Sequence, residues 1–160
     1  MKLFDQVEQE QYIRLAIAQA ELSIIRGSNP FGAVMVSEAG KILAAAHNTV
    51  TPESDILQHA ELNLLRIANK LTGRQKFANC AVFINAASCA MCASALIQAG
   101  VRRFYFGAPF ESHTNPAVSY EQLATFCHEP LEITKDLLAD ECLAQIQRGR
   151  EKLSLDGLGK

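Results

Sequence analysis

The spacing of apolar residues in the first third of the chain predicts one helix and one β-hairpin. A first helix is predicted from about Asp5 to Arg26, ahead of the stop residues Gly27 to Pro30. Its apolar positions recur every three or four residues: Ile13, Ile17, Ala20 and Ile24. Two short apolar runs follow, Ala33 to Ser37 and Ile42 to Ala46, and Gly40 lies between them. This pattern is typical of a hairpin with its glycine in the turn.

A second helix is predicted to begin near His59, after a polar loop from Asn48 to Asp55. Asp55 and Gln58 have the spacing of a capping box just ahead of that histidine. The apolar positions of the helix are Leu57, Ala60, Leu64, Ile67 and Leu71. The break at Thr72-Gly73-Arg74 ends the pattern.

The rest of the chain continues to alternate strands and helices. The nearly unbroken apolar run Ala81 to Ala87 is typical of a buried strand. Ala90 to Ala99 predicts a helix of small residues that Gly100 closes, and Val101 to Phe106 predicts another strand. After a loop at Phe110 to Pro116, the last predicted elements are a helix near Tyr120 to Cys127, an extended piece at Leu131 to Thr134 and an amphipathic helix from about Leu137 to Leu153.

This order of elements predicts an α/β fold. A hairpin followed by two units of helix then strand favours a three-layer α/β/α sandwich around a mixed sheet of about five strands. The 160 residues are most simply one domain, residues 1–160, and are enough for a sizeable core. The candidate chemistry then lies at junctions between strands and helices, where open α/β sheets hold their ligands.

Composition indicates an ordinary globular protein. Hydrophobic residues make up 49% and charged residues 20% of the chain, and the net charge is −2. That charge does not indicate a nucleic-acid surface, although a local basic patch stays open. The first residues are too polar for a signal peptide, and no apolar run approaches the roughly 18 residues of a membrane span. We therefore expect a cytoplasmic protein with no membrane partner, whose five cysteines are reduced thiols.

One histidine and two cysteines have the composition of a zinc site. His59, Cys89 and Cys92 offer an imidazole and two thiolates, which suit a metal of borderline softness. Three ligands leave a fourth position for water, as in catalytic sites. Cys89 and Cys92 are three residues apart, so both sulfurs point to one side of a helical first turn. The helix N-terminus favours their thiolate forms.

Glu61 completes the candidate site as a carrier of protons. His59 and Glu61 are two residues apart, and side chains at that spacing inside a helix point roughly 200° away from each other. We therefore place both residues at the start of a helix. Glu61 then need not bind the metal and can move protons beside it. A redox pair or a structural zinc site would also use a C-x-x-C spacing. The redox pair needs no H-x-E partner, however, and the structural site needs a fourth ligand. The other cysteines, Cys80, Cys127 and Cys142, are predicted to be core residues.

With these residues the chain resembles the zinc-dependent nucleobase and nucleoside deaminases, whose signature is H-x-E followed by P-C-x-x-C. Here the two parts are His59-Ala60-Glu61 and Cys89-Ala90-Met91-Cys92. The segments Asn29 to Val34 and Ala95 to Gly107 look like those of guanine deaminases and tRNA adenosine deaminases, so the resemblance runs from about residue 12 to residue 110. It implies the cytidine-deaminase-like fold, a homodimer or larger oligomer, and hydrolytic release of ammonia.

The resemblance also implies a role for each site residue. His59, Cys89 and Cys92 would bind zinc, and Glu61 would move protons from the water to the ring nitrogen and the leaving amine. The substrate would be bound by three residues: a side-chain hydrogen bond from Asn48, backbone groups of Ala60 and a pocket wall at Phe31.

Two segments depart from the family pattern. Ala87-Ser88 replaces the family's Glu-Pro ahead of the first cysteine, and serine is expected to cap the helix instead. Asp55 to Gln58 replaces the Asp-Pro-Thr-Ala common before the histidine in purine-base and tRNA enzymes. The substrate favoured by the resemblance is a free base, guanine first, which would give xanthine and ammonia. The alternatives are a tRNA adenosine deaminase, a deaminase of cytosine or another aminated heterocycle, and a binding protein without activity.

Overall fold

A mixed sheet of five strands runs through the protein, in a computed structural model that describes residues 4–158. The strands are β1 (Gly32–Ser37), β2 (Ile42–His47), β3 (Cys80–Ala86), β4 (Arg103–Ala108) and β5 (Glu132–Thr134). The helices are α1 (Gln6–Ile25), α2 (Val50–Glu53), α3 (Ala60–Thr72), α4 (Ala90–Gln98), α5 (Tyr120–Ala124) and α6 (Ala139–Leu155). None of these helices has the length and apolar character that a bilayer crossing requires.

The strand order β2-β1-β3-β4-β5 decides where the helices begin. β1 is antiparallel to both β2 and β3, while β3, β4 and β5 are parallel. It follows that β2 and β3 run in the same direction and end at the same edge of the sheet. The chain segments that lead into α3 and α4 leave from that edge.

Helices cover both faces of the sheet, as the sequence predicted. Alternate residues of β1 point to opposite faces, as strand geometry requires. Val34 and Val36 pack with residues of α1 and α6, whereas Ala33 and Met35 pack with residues of α3 and α4. The three-layer α/β/α sandwich with a mixed five-stranded sheet is therefore confirmed.

A buried asparagine ties the last helix to the sheet. Asn85 of β3 accepts from the Gly32 N–H at 3.0 Å, and its amide nitrogen donates to the Pro30 carbonyl and to Gln145 Oε1 of α6, each at 2.9 Å. Buried polar groups left without partners cost about 1–3 kcal/mol each. Gly107 of β4 allows the same close approach, because a Cβ there would collide with Cys142 Sγ of α6. These contacts place α6 beside the start of β1.

The loop ahead of the second helix was predicted incorrectly in two respects. It contains a short helix, α2, and Asp55 does not cap α3. Asp55 Oδ1 accepts from the Leu57 N–H at 2.9 Å, and Asp55 Oδ2 accepts from Gln58 Nε2 at 3.0 Å. Asp side chains commonly form such local turns, which compete with helix capping for the same side-chain oxygens. The N-cap of α3 is His59 itself.

The expected serine cap of α4 is also wrong. Its N-cap is Cys89, and Ser88 lies one residue earlier. The Ser88 hydroxyl instead accepts a hydrogen bond from the buried phenol of Tyr120, so it is directed toward the core. The helix nevertheless begins where the sequence predicted, with Cys89 and Cys92 in its first turn, and the left-handed Gly100 (φ 93°) follows it. At the other end of the chain, Leu138 has a left-handed φ of 52°, so α6 begins later than expected.

Candidate active site

The N-caps of two helices supply the first residues of the site. His59 caps α3 and Cys89 caps α4, and both have extended backbone conformations, with ψ of 152° and 164°. Neither side chain bonds to its own helix as a cap. Because both helices start from one edge of the sheet, these side chains project into the same space.

The three predicted ligand groups fit a zinc ion. His59 Nδ1 lies 3.7 Å from Cys89 Sγ and 3.4 Å from Cys92 Sγ, and all three ligand atoms lie within 4.8 Å of one another. Bond lengths to a tetrahedral zinc imply a nitrogen–sulfur separation of about 3.6 Å. The two measured distances bracket that value. Among residues 4–158, this is the one group of three such side chains close enough to hold a metal.

The two cysteines shift each other's pKa in opposite directions. The neighbouring Cys92 side chain lowers the pKa of Cys89 to about 4, whereas Cys89 raises the pKa of Cys92, so Cys92 keeps its proton. The hydrogen bond to Cys89 also raises the pKa of His59 above its usual value. A metal ion that binds here displaces these protons, because thiolates and neutral imidazole are the ligand forms.

Glu61 lies in the first turn of α3 with its carboxyl group buried beside the ligands. Glu61 is 6% exposed. Burial raises the pKa of Glu61, although the neighbouring Ser88 side chain opposes that shift. A raised pKa makes a carboxyl group a stronger base, which suits a residue that accepts and returns a proton during catalysis.

A cavity of about 110 Å³ opens onto this group. It is lined by five of the seven predicted site residues: Phe31, Asn48, His59, Glu61 and Cys89. Cys92 is fully buried behind them, and Ala60 is also buried, as the first residue of α3. A larger cavity of about 280 Å³ lies beyond Ala87, next to β4 and α5, and it is lined by none of the metal ligands.

The orientation of the Asn48 amide is set by its neighbours. Asn48 Oδ1 accepts from the Val50 N–H at 3.1 Å and from Ser28 Oγ at 2.7 Å. A backbone N–H can only donate, so the side-chain oxygen must face Val50. The amide nitrogen is then the group that Asn48 directs toward the cavity.

The outer rim of the cavity contains residues that the sequence did not indicate. Glu111 lines the cavity, and both its carboxylate oxygens accept from Arg150 of α6, at 2.7 and 2.9 Å. The Arg150 guanidinium also lies 5.8 Å from the centre of the Phe31 ring. Thr114 Oγ1 is buried in the cavity wall and has no hydrogen-bond partner within the described residues. No local motif marks this rim, because its parts come from distant segments.

The remaining histidines and cysteines lie outside this cavity. His47 bonds to Gln19 at 3.1 Å, His113 is exposed next to Glu111, and His128 is at the surface. The other cysteines are free thiols: Cys80 and Cys142 are buried, as predicted, and Cys127 is half-buried.

Comparison with known proteins points to the same chemistry. A tRNA-specific adenosine deaminase of Bacillus subtilis is 30% identical over 137 residues, which cover 84% of each chain. A probable cytosine deaminase of Schizosaccharomyces pombe is 33% identical over 101 residues, and this match covers 63% of the present chain and 60% of that relative. In structure the fold is similar to a guanine deaminase from Nitrosomonas europaea, with a TM-score of 0.78 and 22% identity over 88% of this chain and 83% of that one.

Residues 6–108 match the family model of the cytidine and deoxycytidylate deaminase zinc-binding region. That span is more than half of the 160 residues and includes every ligand of the candidate zinc site. The chain therefore belongs to the cytidine and deoxycytidylate deaminase family and is a zinc-dependent hydrolytic deaminase.

Proposed function

We propose that this deaminase acts on a free amino-substituted nucleobase, with guanine as the first candidate and xanthine and ammonia as the products. One observation carries the proposal. The zinc ligands and the buried carboxyl of Glu61 open into one small cavity together with Asn48 and Phe31. Guanine is the first candidate because the segments Asn29 to Val34 and Ala95 to Gly107 resemble those of guanine deaminases and tRNA adenosine deaminases, and of these two classes the guanine deaminases act on a free base.

In this proposal Glu61 carries the protons of the reaction. Zinc, when bound by His59, Cys89 and Cys92, supplies a Lewis acid that lowers the pKa of a coordinated water. Glu61 takes one proton from the water that attacks the carbon bearing the amine and passes it to the ring nitrogen. It then takes the second proton, from the hydroxyl group formed on that carbon, and delivers it to the leaving amine. One water is consumed and one ammonia is released.

The cavity walls supply groups that suit a flat polar base. The amide nitrogen of Asn48 donates to an acceptor on the ring, and the face of Phe31 packs against the base. Thr114 Oγ1 is available to the substrate because the described residues leave it without a partner. Backbone groups of Ala60 complete the binding set in the proposal.

The last helix favours a free base over a base in a polynucleotide. Arg150 of α6 donates hydrogen bonds to Glu111 and lies near the Phe31 ring. These contacts hold α6 across the rim of the cavity. A polynucleotide would need that rim open for the chain on either side of the base. The net charge of −2 also supplies little general attraction for phosphates.

A tRNA adenosine deaminase is the second candidate, and a specific observation favours it. Several curated relatives are tRNA-specific adenosine deaminases that are 27–30% identical over 82–92% of this chain. The probable cytosine deaminase makes cytosine a further alternative among the free bases.

We also propose a homodimer in the cytoplasm. Large apolar side chains are exposed on α3 and just before it, which is typical of a surface that another protein covers: Ile56, Leu57, Ile67 and Leu71. The free thiols are preserved by a reducing compartment.

Sedimentation analysis should give twice the 17.5 kDa chain mass, and a monomer at micromolar concentration would contradict the dimer.

The substrate is tested by measuring ammonia release from guanine, adenine, cytosine, their nucleosides and an unmodified tRNA. We expect turnover of a free base, with guanine fastest, because the cavity is small and its rim is covered. Turnover of tRNA alone, with binding that weakens as salt rises, would instead establish the second candidate.

Glu61→Gln tests the proton carrier. The amide keeps the shape of the side chain but cannot exchange protons, so we expect kcat/KM to fall by about 10²–10⁴-fold. The zinc content should stay near one per chain. Glu38→Gln, at the exposed turn between β1 and β2, is the matched control and should keep full activity. Wild-type turnover by Glu61→Gln would exclude the proposed mechanism.

Metal binding should depend on the three ligands and on pH. His59→Ala and Cys89→Ser should lose zinc, whereas Cys127→Ser, a half-buried cysteine outside the site, should keep it.

Because the pKa values of Cys92 and His59 are raised, these groups hold protons that zinc must displace. Zinc affinity should therefore rise as the pH increases above 6.5, the ordinary pKa of histidine, with proton release on binding measured by calorimetry in two buffers. Affinity that is independent of pH would contradict the assignment.

A further inference from the structure

Glu111 lies between the catalytic cavity and a second, outer cavity. The outer cavity has a volume of about 470 Å³ and is lined mainly by α6 and by the loop that follows β4. Asn29, Phe31 and Glu111 line both cavities, whereas Glu61 and the metal ligands line no part of the outer one. The Glu111 side chain is 28% exposed. Glu111 therefore marks the side on which the catalytic cavity opens outward.

The Glu111 carboxylate can accept a hydrogen bond beyond those it already has. Arg150 Nη2 donates to both carboxylate oxygens, at 2.7 and 2.9 Å, and His113 Nε2 lies 3.3 Å from Oε2. A carboxylate has about four lone-pair sites, so these three contacts leave one available to a molecule in the cavity. The other carboxylate that lines this cavity is Glu61, which is assigned to proton transfer.

The packing of α6 holds the Glu111 carboxylate in place. Gly149 of α6 lies directly against the start of β1, because a Cβ at this glycine would be 2.7 Å from Pro30 Cβ. The next residue, Arg150, reaches Glu111 and lies 5.8 Å from the centre of the Phe31 ring. That distance is within the range of a cation–π contact. The acceptor at the opening is therefore fixed by a helix that is packed on the sheet.

We propose that Glu111 is a specificity-determining residue that accepts a hydrogen bond from a ring N–H of a free base. In guanine, adenine and cytosine, the amine and the nitrogen that carries the sugar of a nucleoside lie on different sides of the ring system. When the carbon that bears the amine is next to the zinc ligands, that nitrogen faces the opening of the cavity and Glu111. A free base has an N–H there, whereas a nucleoside has a sugar.

This inference rests on the proposed function, the deamination of a free base, and adds the group that selects it. Glu111 lies beyond residue 108, where the family match ends, so the zinc-binding signature does not predict the contact. A hydrogen bond to a charged acceptor is about twice as strong as one to a neutral acceptor. The charge of Glu111 therefore increases the preference for a base that can donate.

The test compares guanine with 9-methylguanine, which lacks the N–H at the sugar-bearing nitrogen. In the wild type, kcat/KM for guanine should be about 10-fold or more above that for 9-methylguanine, because the analogue leaves the carboxylate without its donor. Where the substrate panel identifies adenine or cytosine as the base, 9-methyladenine or 1-methylcytosine is the analogue.

Glu111→Gln separates the hydrogen bond from simple exclusion of the methyl group by size. The variant keeps the size of the side chain and removes its charge, so the ratio of the two kcat/KM values should fall by about threefold or more. Glu129→Gln is the matched control, because Glu129 is also an exposed carboxylate that pairs with an arginine, Arg102, at 2.9 Å. It should keep the wild-type ratio.

Binding to zinc-loaded Glu61→Gln separates this inference from the proposed function. Calorimetry should give a guanine affinity about 10-fold or more above that for 9-methylguanine, and adding Glu111→Gln should reduce the difference. If the wild type turned over no free base, the proposed function would fail, yet the two affinities would still decide the role of Glu111.

Three results would overturn the role of Glu111. The first is equal kcat/KM and equal affinity for guanine and 9-methylguanine in the protein with Glu111 intact. The second is an unchanged ratio in Glu111→Gln, which would assign the discrimination to size. The third is that neither base binds to zinc-loaded Glu61→Gln.

Discussion

The site depends on two helices that begin at the same edge of one sheet. β1 is antiparallel to both of its neighbours, so β2 and β3 end together and lead into α3 and α4. His59 and Cys89 are the N-caps of those helices. Their shared edge brings His59 Nδ1 to 3.7 Å from Cys89 Sγ. A change of strand order would separate the metal ligands even if every local element formed.

The same arrangement solves the problem of burying several ionisable groups together. The Cys92 side chain lowers the pKa of Cys89, and the helix N-termini favour the negative charge on sulfur. Glu61, in the first turn of α3, is buried beside these cysteines. A zinc ion held by the three ligands would bring two positive charges to this cluster, which would offset the charges of the buried carboxyl and thiolates.

The zinc ligands and the outer rim of the cavity come from different parts of the chain. The chemistry comes from the starts of α3 and α4, which the family match includes. The rim comes from Glu111, Thr114 and Arg150, beyond residue 108 where that match ends. The family match therefore includes the zinc ligands and Glu61 but not the rim of the cavity.

The amino-acid sequence by itself predicted most of the secondary elements and the candidate zinc ligands. Apolar periodicity located α1, the hairpin and α4 to within a residue or two, and the spacing of His59, Glu61, Cys89 and Cys92 defined the chemistry. Only the tertiary structure brought Tyr120 to Ser88 and Arg150 to Glu111, which are 32 and 39 residues apart. It also showed that Asp55 and Ser88 use their side chains in contacts other than helix caps. Periodicity reports neighbours within a few residues, whereas these contacts depend on how strands pair and helices pack.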